Sequence, residues 1–173
     1  MKFRVINRAD CVKYRSDIFQ AYQSCNLIFD SQNPYCPKTE EETLYFVLGY
    51  ACDSEDSLAY GVFDDNEDYL YGLVIFDNIR GTKQNTCAQV HIVNDKSVFG
   101  RKIKGIYEDL VRACGIDVIY AEIPSIAVHS IAMCRRLGFK KTGYIPNALP
   151  YVNAKGEENM YDIQIFSYNR KKD

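Results

Sequence analysis

The 173-residue chain has no tryptophan, two histidines and five prolines, and none of its seven cysteines stands in CxxC spacing. Each shortage removes a class of function. His91 and His129 form no HxxxH or Cys/His pattern, so no metal site is expected. The cysteines are odd in number and irregularly placed, and the opening "MKFRVINRAD" lacks the apolar core of a secretion signal. Free thiols in a reducing compartment, the cytoplasm, are therefore expected. No stretch approaches the ~18 apolar residues that span a membrane. With a net charge of -2 and a pI of about 5.7, the surface exerts no general pull on nucleic acid or anionic lipid. No Ser-His-Asp or Cys-His arrangement can be drawn from the spacings, which argues against a hydrolase.

What is present is ample apolar sequence, 47% of residues, rich in tyrosine and phenylalanine. One domain over 1–173 is expected, with a strand and helices in 1–56 and the core sheet in 57–173. "KFRVI" reads as a strand. "ADCVKYRSDIFQAYQSC" reads as one helix with Asp10 as N-cap and Val12, Ile18, Tyr22 and Cys25 near one face. After the breaker "DSQNPYCPK", Thr39 and Glu42 make a capping box ahead of Leu44, Val47, Leu48 and Ala51. Three strands follow, "LAYGVF", "YLYGLVIFD" and "TCAQVHIVN", linked by "DDNED" and "NIRGTKQN"; such short links predict an antiparallel meander.

The next helix starts near Arg101, with Ile103, Ile106, Tyr107, Leu110 and Cys114 facing inward and Gly115 ending it. "IDVIYAEI" is nearly continuous apolar sequence, as in a strand buried on both faces. Strand, helix and strand make a βαβ crossover, so "TCAQVHIVN" and "IDVIYAEI" should be parallel neighbours. The helix "IAVHSIAMCRRL", closed by Gly138, leads to the strand "FKKTGYI". The segment "PNALPYVNAKGEEN" reads as a loop before the last strand, "MYDIQIFSY". The expected fold class is α/β (α+β): a mixed, mostly antiparallel sheet of about seven strands flanked by helices, in the order β-α-α-β-β-β-α-β-α-β-β.

The segment "SIAMCRRLGFKKTGYIP" resembles the helix, Leu-Gly-Phe and strand of GNAT acetyltransferases, whose pattern is roughly Asn-x-x-Ser-x-x-x-Tyr-x-Lys-x-Gly-Phe. The element order is also theirs from about Tyr60 to Tyr168. Within that superfamily, "YGLVIFDN", "AQVHIV", "YAEIP" and "GFKKTGYIP" look most like acetyltransferase-like proteins encoded by tailed bacteriophages. The resemblance implies acetyl-CoA as cofactor and an amine of a small molecule or protein as acceptor. It places the diphosphate on the strand-to-helix segment "NDKSVFGRKIKGIYEDL", where Arg/Gln-x-x-Gly-x-Gly/Ala aligns with Ser97, Val98, Phe99, Gly100, Arg101 and Lys102. Phe99, Gly100, Arg101, Lys102 and Ile103 are thereby candidate cofactor residues, as are Ile92 and Val93 on the preceding strand and Ser130 on the later helix. Ser97 and Lys102 depart from the pattern. A turn with a basic helix behind it is the alternative reading, although Arg101, Lys102 and Lys104 could supply charge in place of lost N–H contacts.

On the later helix the family's asparagine falls on Ala127 and its tyrosine, which protonates the leaving thiolate, on Cys134. Spacing puts Ala127, Ser130 and Cys134 near one face. Cys134 is thus either a proton donor or a packed small residue.

Transfer to an amine also needs a base. His91 stands on a strand where Gln89 and His91 alternate with Val90 and Ile92, and imidazole exchanges protons near neutral pH. Glu122, ahead of Pro124, is the second candidate. Structural roles, a histidine bonded to a loop carbonyl and a strand-end charge, are the alternatives. Tyr144, Asn147 and Tyr151 would touch the acceptor if "PNALPYVNAKGEEN" lines its pocket rather than merely joining two strands. The rival function is a non-catalytic GNAT-fold binding or structural protein, such as a phage virion or assembly component, and a homo-oligomer stays open.

Overall fold

The computed structural model describes residues 1–24, 37–82, 85–95, 101–152 and 155–170, with backbone alone for 101–103. In chain order these form β1 (Lys2–Val5), α1 (Arg8–Lys13), α2 (Arg15–Ser24), α3 (Glu40–Ala51), β2 (Leu58–Phe63), β3 (Leu70–Thr82), β4 (Asn85–Asn94), α4 (Arg101–Ala113), β5 (Val118–Pro124), α5 (Val128–Arg136), β6 (Lys140–Val152) and β7 (Glu158–Asn169). The strands build one seven-stranded sheet in the order β1-β2-β3-β4-β5-β7-β6. Only β4 and β5 run parallel; every other neighbouring pair is antiparallel.

Alternation along the central strands feeds two cores. Val74, Phe76, Ala88, Val90, Ile119, Ala121 and Ile123 face one side, packed with Tyr107, Leu110 and Val111 of α4 and Ile131 and Cys134 of α5. Leu73, Ile75 and Val93 face the other, under Cys11, Ile18, Ala21, Val47 and Leu48 of α1–α3. The run "LVIF" in β3 is apolar without a break because both of its faces are covered. A fully buried Leu or Ile side chain contributes roughly 1.5–3 kcal/mol, so both helical layers are held chiefly by such contacts.

Three local readings need correction. The first helix is two. α1 is capped by Asn7, which accepts from the Asp10 N–H at 3.0 Å while the Asp10 carboxylate accepts from the Asn7 N–H at 3.1 Å; Asp10 is the third helical residue, not the N-cap. The helix breaks at Tyr14, whose hydroxyl donates to the Glu67 carbonyl at 2.6 Å and whose ring packs on Phe63 at 5.2 Å between centroids. No glycine or proline marks that break. The supposed loop "PNALPYVNAKGEEN" is largely strand: β6 continues to Val152 and β7 begins at Glu158. Pro146 and Pro150 are tolerated because β6 is the sheet edge, and its pairing slips between Ile145 and Leu149 around Asn147, at φ 49°.

The Thr39–Glu42 capping box is present, with the Glu42 N–H bonded to the Thr39 hydroxyl at 3.1 Å. Gly115 and Gly138 end their helices at φ 79° and 87°. Among the described residues no helix is long and apolar enough to cross a membrane, and no group of three or more His, Cys, Asp or Glu could hold a metal.

Candidate functional site

The sheet is split at its centre. β4 and β5 pair only at Cys87–Val118, Ala88–Ile119 and Gln89–Tyr120. Beyond Gln89, β4 stays paired to β3 as far as Asn94 opposite Gly72, while β5 stays paired to β7 as far as Pro124 opposite Ile163. The two strands therefore part into a fork.

The direction of the main-chain groups in that fork follows from one hydrogen bond. The Asp95 N–H donates to the Tyr71 carbonyl at 2.8 Å, so residue 95 turns its main-chain groups toward β3. Antiparallel strands alternate that direction residue by residue, and the β3–β4 register is regular from Gly72–Asn94 to Asp77–Gln89. Val93 and His91 therefore bond to β3, whereas Asn94, Ile92 and Val90 turn their N–H and C=O groups toward β5. Of the two β4 residues proposed for cofactor contact, Ile92 presents its amide to the fork and Val93 does not.

On the α1–α3 face the fork is flanked by polar side chains. His91 lies on β4; Gln89 shares its face, and the parallel register places Tyr120 and Glu122 of β5 on that same face across the gap. Glu122 is exposed. His91 Nε2 lies 3.2 Å from Asp77 Oδ1 on β3. Both atoms are excluded from water, yet the pair lacks hydrogen-bond alignment, so proximity rather than a formed bond describes it. The His91 ring meets the Tyr50 ring of α3 edge-on at 6.0 Å.

Beside this pair opens a cavity of about 440 Å³, lined by Phe46, Gly49 and Tyr50 of α3, by Ser54 and Asp56, and by Asp77 and Asn78 of β3. β3 bulges between Asp77 and Arg80, with Asn78 at φ 50°; its side-chain amide donates to the Tyr120 hydroxyl at 3.2 Å. Bulges of this kind re-aim side chains next to sites. Asp56, Asp77 and Tyr50 escaped the sequence reading. The one available signal was Asp77 closing the apolar run "LVIFD".

At the far end of β4, buried Asp95 accepts from Gln20 Nε2 at 2.9 Å and from the Tyr69 hydroxyl at 2.7 Å. Burial and the neighbouring Asp95 carboxylate push the Tyr69 phenol well above its ordinary range, so it stays a donor. α4 then starts at Arg101. Ser97, Val98, Phe99 and Gly100 lie outside the described residues, as do the side chains of Arg101, Lys102 and Ile103. Lys104 pairs along its own helix with Glu108 at 3.2 Å.

α5 alters one expectation. Ala127 is its N-cap, and the buried stripe is Ala127, Ile131 and Cys134, whereas Ser130 is exposed. At 100° per residue, position 130 falls just outside the arc that 127, 131 and 134 share. Cys134 lies in the core on the sheet face opposite His91. Burial pushes its thiol up to about 11, so it remains protonated and is no nucleophile at neutral pH.

No protein-family profile and no curated protein matches the chain. Solved structures do. The ribosomal α-N-protein acetyltransferase RimL in complex with coenzyme A superposes with a TM-score of 0.70 at 17% identity, over 99% of this chain and 94% of that one. A variant of the spermidine N-acetyltransferase SpeG from Vibrio cholerae gives 0.69 at 13% identity, over 99% and 96%. A GNAT-family acetyltransferase from Bacillus anthracis gives 0.67 at 14% identity, over 98% and 94%. This is the GNAT fold. At such identities the likeness speaks for the fold alone. In this GNAT-fold chain His91, Glu122 and the acidic cavity share one face of the sheet, with His91 and Glu122 on either side of the fork. Cys134 lies on the other, and Ser130 faces solvent.

Proposed function

We propose that this chain is an acetyl-CoA-dependent N-acetyltransferase, moving an acetyl group to an amine of a small molecule or protein. The observation that carries the reading is the fork, where main-chain donors and acceptors of Ile92 and Asn94 face a gap instead of a neighbouring strand. An extended pantetheine arm fits such a gap as an added strand would. Acetyl-CoA supplies an activated thioester; the chain's own residues supply alignment and proton transfer. Main-chain N–H groups in the fork are suited to polarising a carbonyl without side-chain help. The start of α4, with Gly100, Arg101 and Lys102 before and within its first turn, is the proposed seat of the diphosphate.

His91 is the proposed base. With Nε2 turned to Asp77, its Nδ1 is the nitrogen left to take a proton from the acceptor, and the Asp77 carboxylate offsets the positive charge that results. Glu122, across the fork, is the second group able to take that proton. Cys134 keeps its proton at neutral pH; with its thiol raised above that of an ordinary alkyl thiol it is a poor proton source for a departing thiolate, and packing is the role its place in the core supports. The solved structures named for acetyl transfer to spermidine and to a ribosomal protein support the general reaction. A non-catalytic or virion role, and the closer resemblance to phage-encoded proteins, have no observation of their own in support.

The test is thermal unfolding with and without acetyl-CoA, followed by release of CoA thiol in the presence of simple amines. A rise in melting temperature that saturates with cofactor is expected, because ligand bound only to the folded state stabilises it by mass action. No rise at millimolar acetyl-CoA rejects the reading.

A further inference from the structure

We propose that the cavity between α3 and the bulged end of β3 selects a positively charged aliphatic amine bearing at least two ammonium groups. The inference rests on the transferase reading and names the substrate class for its acceptor side.

Three features of the cavity point the same way. Its wall carries two carboxylates, Asp56 and Asp77, and among the described residues neither is paired with a lysine or arginine. The nearby acidic Asp53, by contrast, is engaged by Arg8 at 3.0 Å. Uncompensated carboxylates in a concave, partly apolar setting raise the local concentration of cations. Phe46 and Tyr50 supply aromatic faces to the same space, with ring centroids 4.8 Å apart. Aromatic faces attract ammonium groups and accommodate the methylene stems between them. Finally, Asp77 Oδ1 and His91 Nε2 are shielded from water without a hydrogen bond. An acceptor without a donor keeps its full negative charge, which an ammonium held in the cavity that Asp77 lines would offset.

Division of labour follows from position. His91, on β4, borders the fork, and Asp77 lies 3.2 Å from it on β3, so the ammonium that loses its proton and reacts belongs beside His91. Asp56, on the segment between α3 and β2, lies on the other part of the wall and holds the second ammonium, which remains charged. An amine carrying a carboxylate would set like charge against Asp56 and be disfavoured.

The experiment uses the full chain saturated with CoA and two probes, 1,4-diaminobutane and glutamate, titrated calorimetrically at low and at moderate salt. Diaminobutane should bind, with affinity falling as salt rises, while glutamate shows no heat of binding. Asp56→Asn should weaken diaminobutane about two- to fivefold, the loss of roughly one exposed charge contact. It should leave the acetyl-CoA melting shift unchanged, since Asp56 is outside the fork. Tyr50→Leu should weaken it severalfold in the same way. Glutamate binding as tightly as the diamine, or an Asp56→Asn affinity equal to wild type, overturns the proposal. An acetyl-CoA shift without diamine binding defeats the cavity assignment alone; absence of the acetyl-CoA shift defeats the transferase reading beneath it.

Discussion

The direction of the β4 amides makes adjacent residues respond oppositely to proline. In Val93→Pro the lost N–H is one that bonds to β3, so the partner carbonyl of Leu73 is stranded in the core. A broken ladder bond with its unsatisfied acceptor costs about 3 kcal/mol. In a chain of this size that lowers the melting temperature by roughly 6–12 °C relative to Val93→Ala. In Ile92→Pro the lost N–H faces the fork, and no β3 bond is broken. Relative to Ile92→Ala the drop should stay below about 4 °C, the effect of ~1 kcal/mol of backbone adjustment. Cofactor response should reverse the ranking. Acetyl-CoA at a hundred times its dissociation constant adds about 2.7 kcal/mol of stability, which is about 5–10 °C. Val93→Pro should keep most of that increment if it folds. Ile92→Pro should lose at least half, because a donor is gone and the pyrrolidine ring occupies the gap. The assay is circular dichroism melting of the four variants with and without acetyl-CoA. Equal destabilisation by the two prolines, or a full cofactor shift in Ile92→Pro, refutes the assigned amide directions and with them the fork as a binding edge.

Gly100→Glu, which puts a carboxylate where a diphosphate is proposed, should abolish the acetyl-CoA melting shift; a retained shift moves the cradle elsewhere. His91→Gln should lower kcat by 10²–10⁴-fold, the usual worth of a positioned base, while acetyl-CoA still raises the melting temperature; undiminished turnover would pass the role to Glu122. Thr39→Ala removes the α3 N-cap and should cost about 1 kcal/mol, read as a fall of 2–4 °C in melting. Cys134 gives a pH signature. Burial raises its thiol from the ordinary 9.0 to about 11. The native state thus keeps a proton that the unfolded chain releases, and the stabilisation is complete below pH 9 and lost as pH rises toward 11. Urea unfolding in reductant should show wild type losing up to ~1.4 kcal/mol per pH unit across that window relative to Cys134→Ala; a constant difference between the two would contradict it.

The sheet was legible because its evidence is written in side chains. Alternation in "AQVHIV", the unbroken run in "LVIF" and the glycines at 115 and 138 each have a single physical meaning, and strand number, meander and parallel crossover followed. Elements held by distant contacts were not legible. Nothing near Tyr14 says that its hydroxyl will reach the Glu67 carbonyl and end α1. The prolines of β6 read as loop until the strand is known to be the sheet edge. The site divides along the same line. His91 and Glu122 could be named from residue type and strand position, and the structure sets them on facing sides of one gap. Asp77 and Asp56 could not be connected to either, since their relevance comes from a bulge and a helix end that meet only in space. Ser130 was misplaced for a smaller reason: three residues on from Ala127 is about 60° round the helix, on the side away from Ile131 and past the edge of the buried arc.

Why the sheet divides where it does follows from its two cores. Past Gln89, β4 is drawn toward the α1–α3 layer: Val93 is buried there, and Asp95, just beyond, is tied to Gln20 of α2 and to Tyr69. β5 is committed to the other layer through Ile119, Ala121 and Ile123, and to β7 along its full length. Each strand satisfies its outer edge, so neither must follow the other, and the main-chain groups of Ile92 and Asn94 are left facing the gap at no cost to either core. Packing the gap shut would require moving one strand away from its own helices, at several kcal/mol for each large side chain exposed. The opening is therefore a consequence of where the apolar residues lie, and a ligand that pairs with it need not pay to create it.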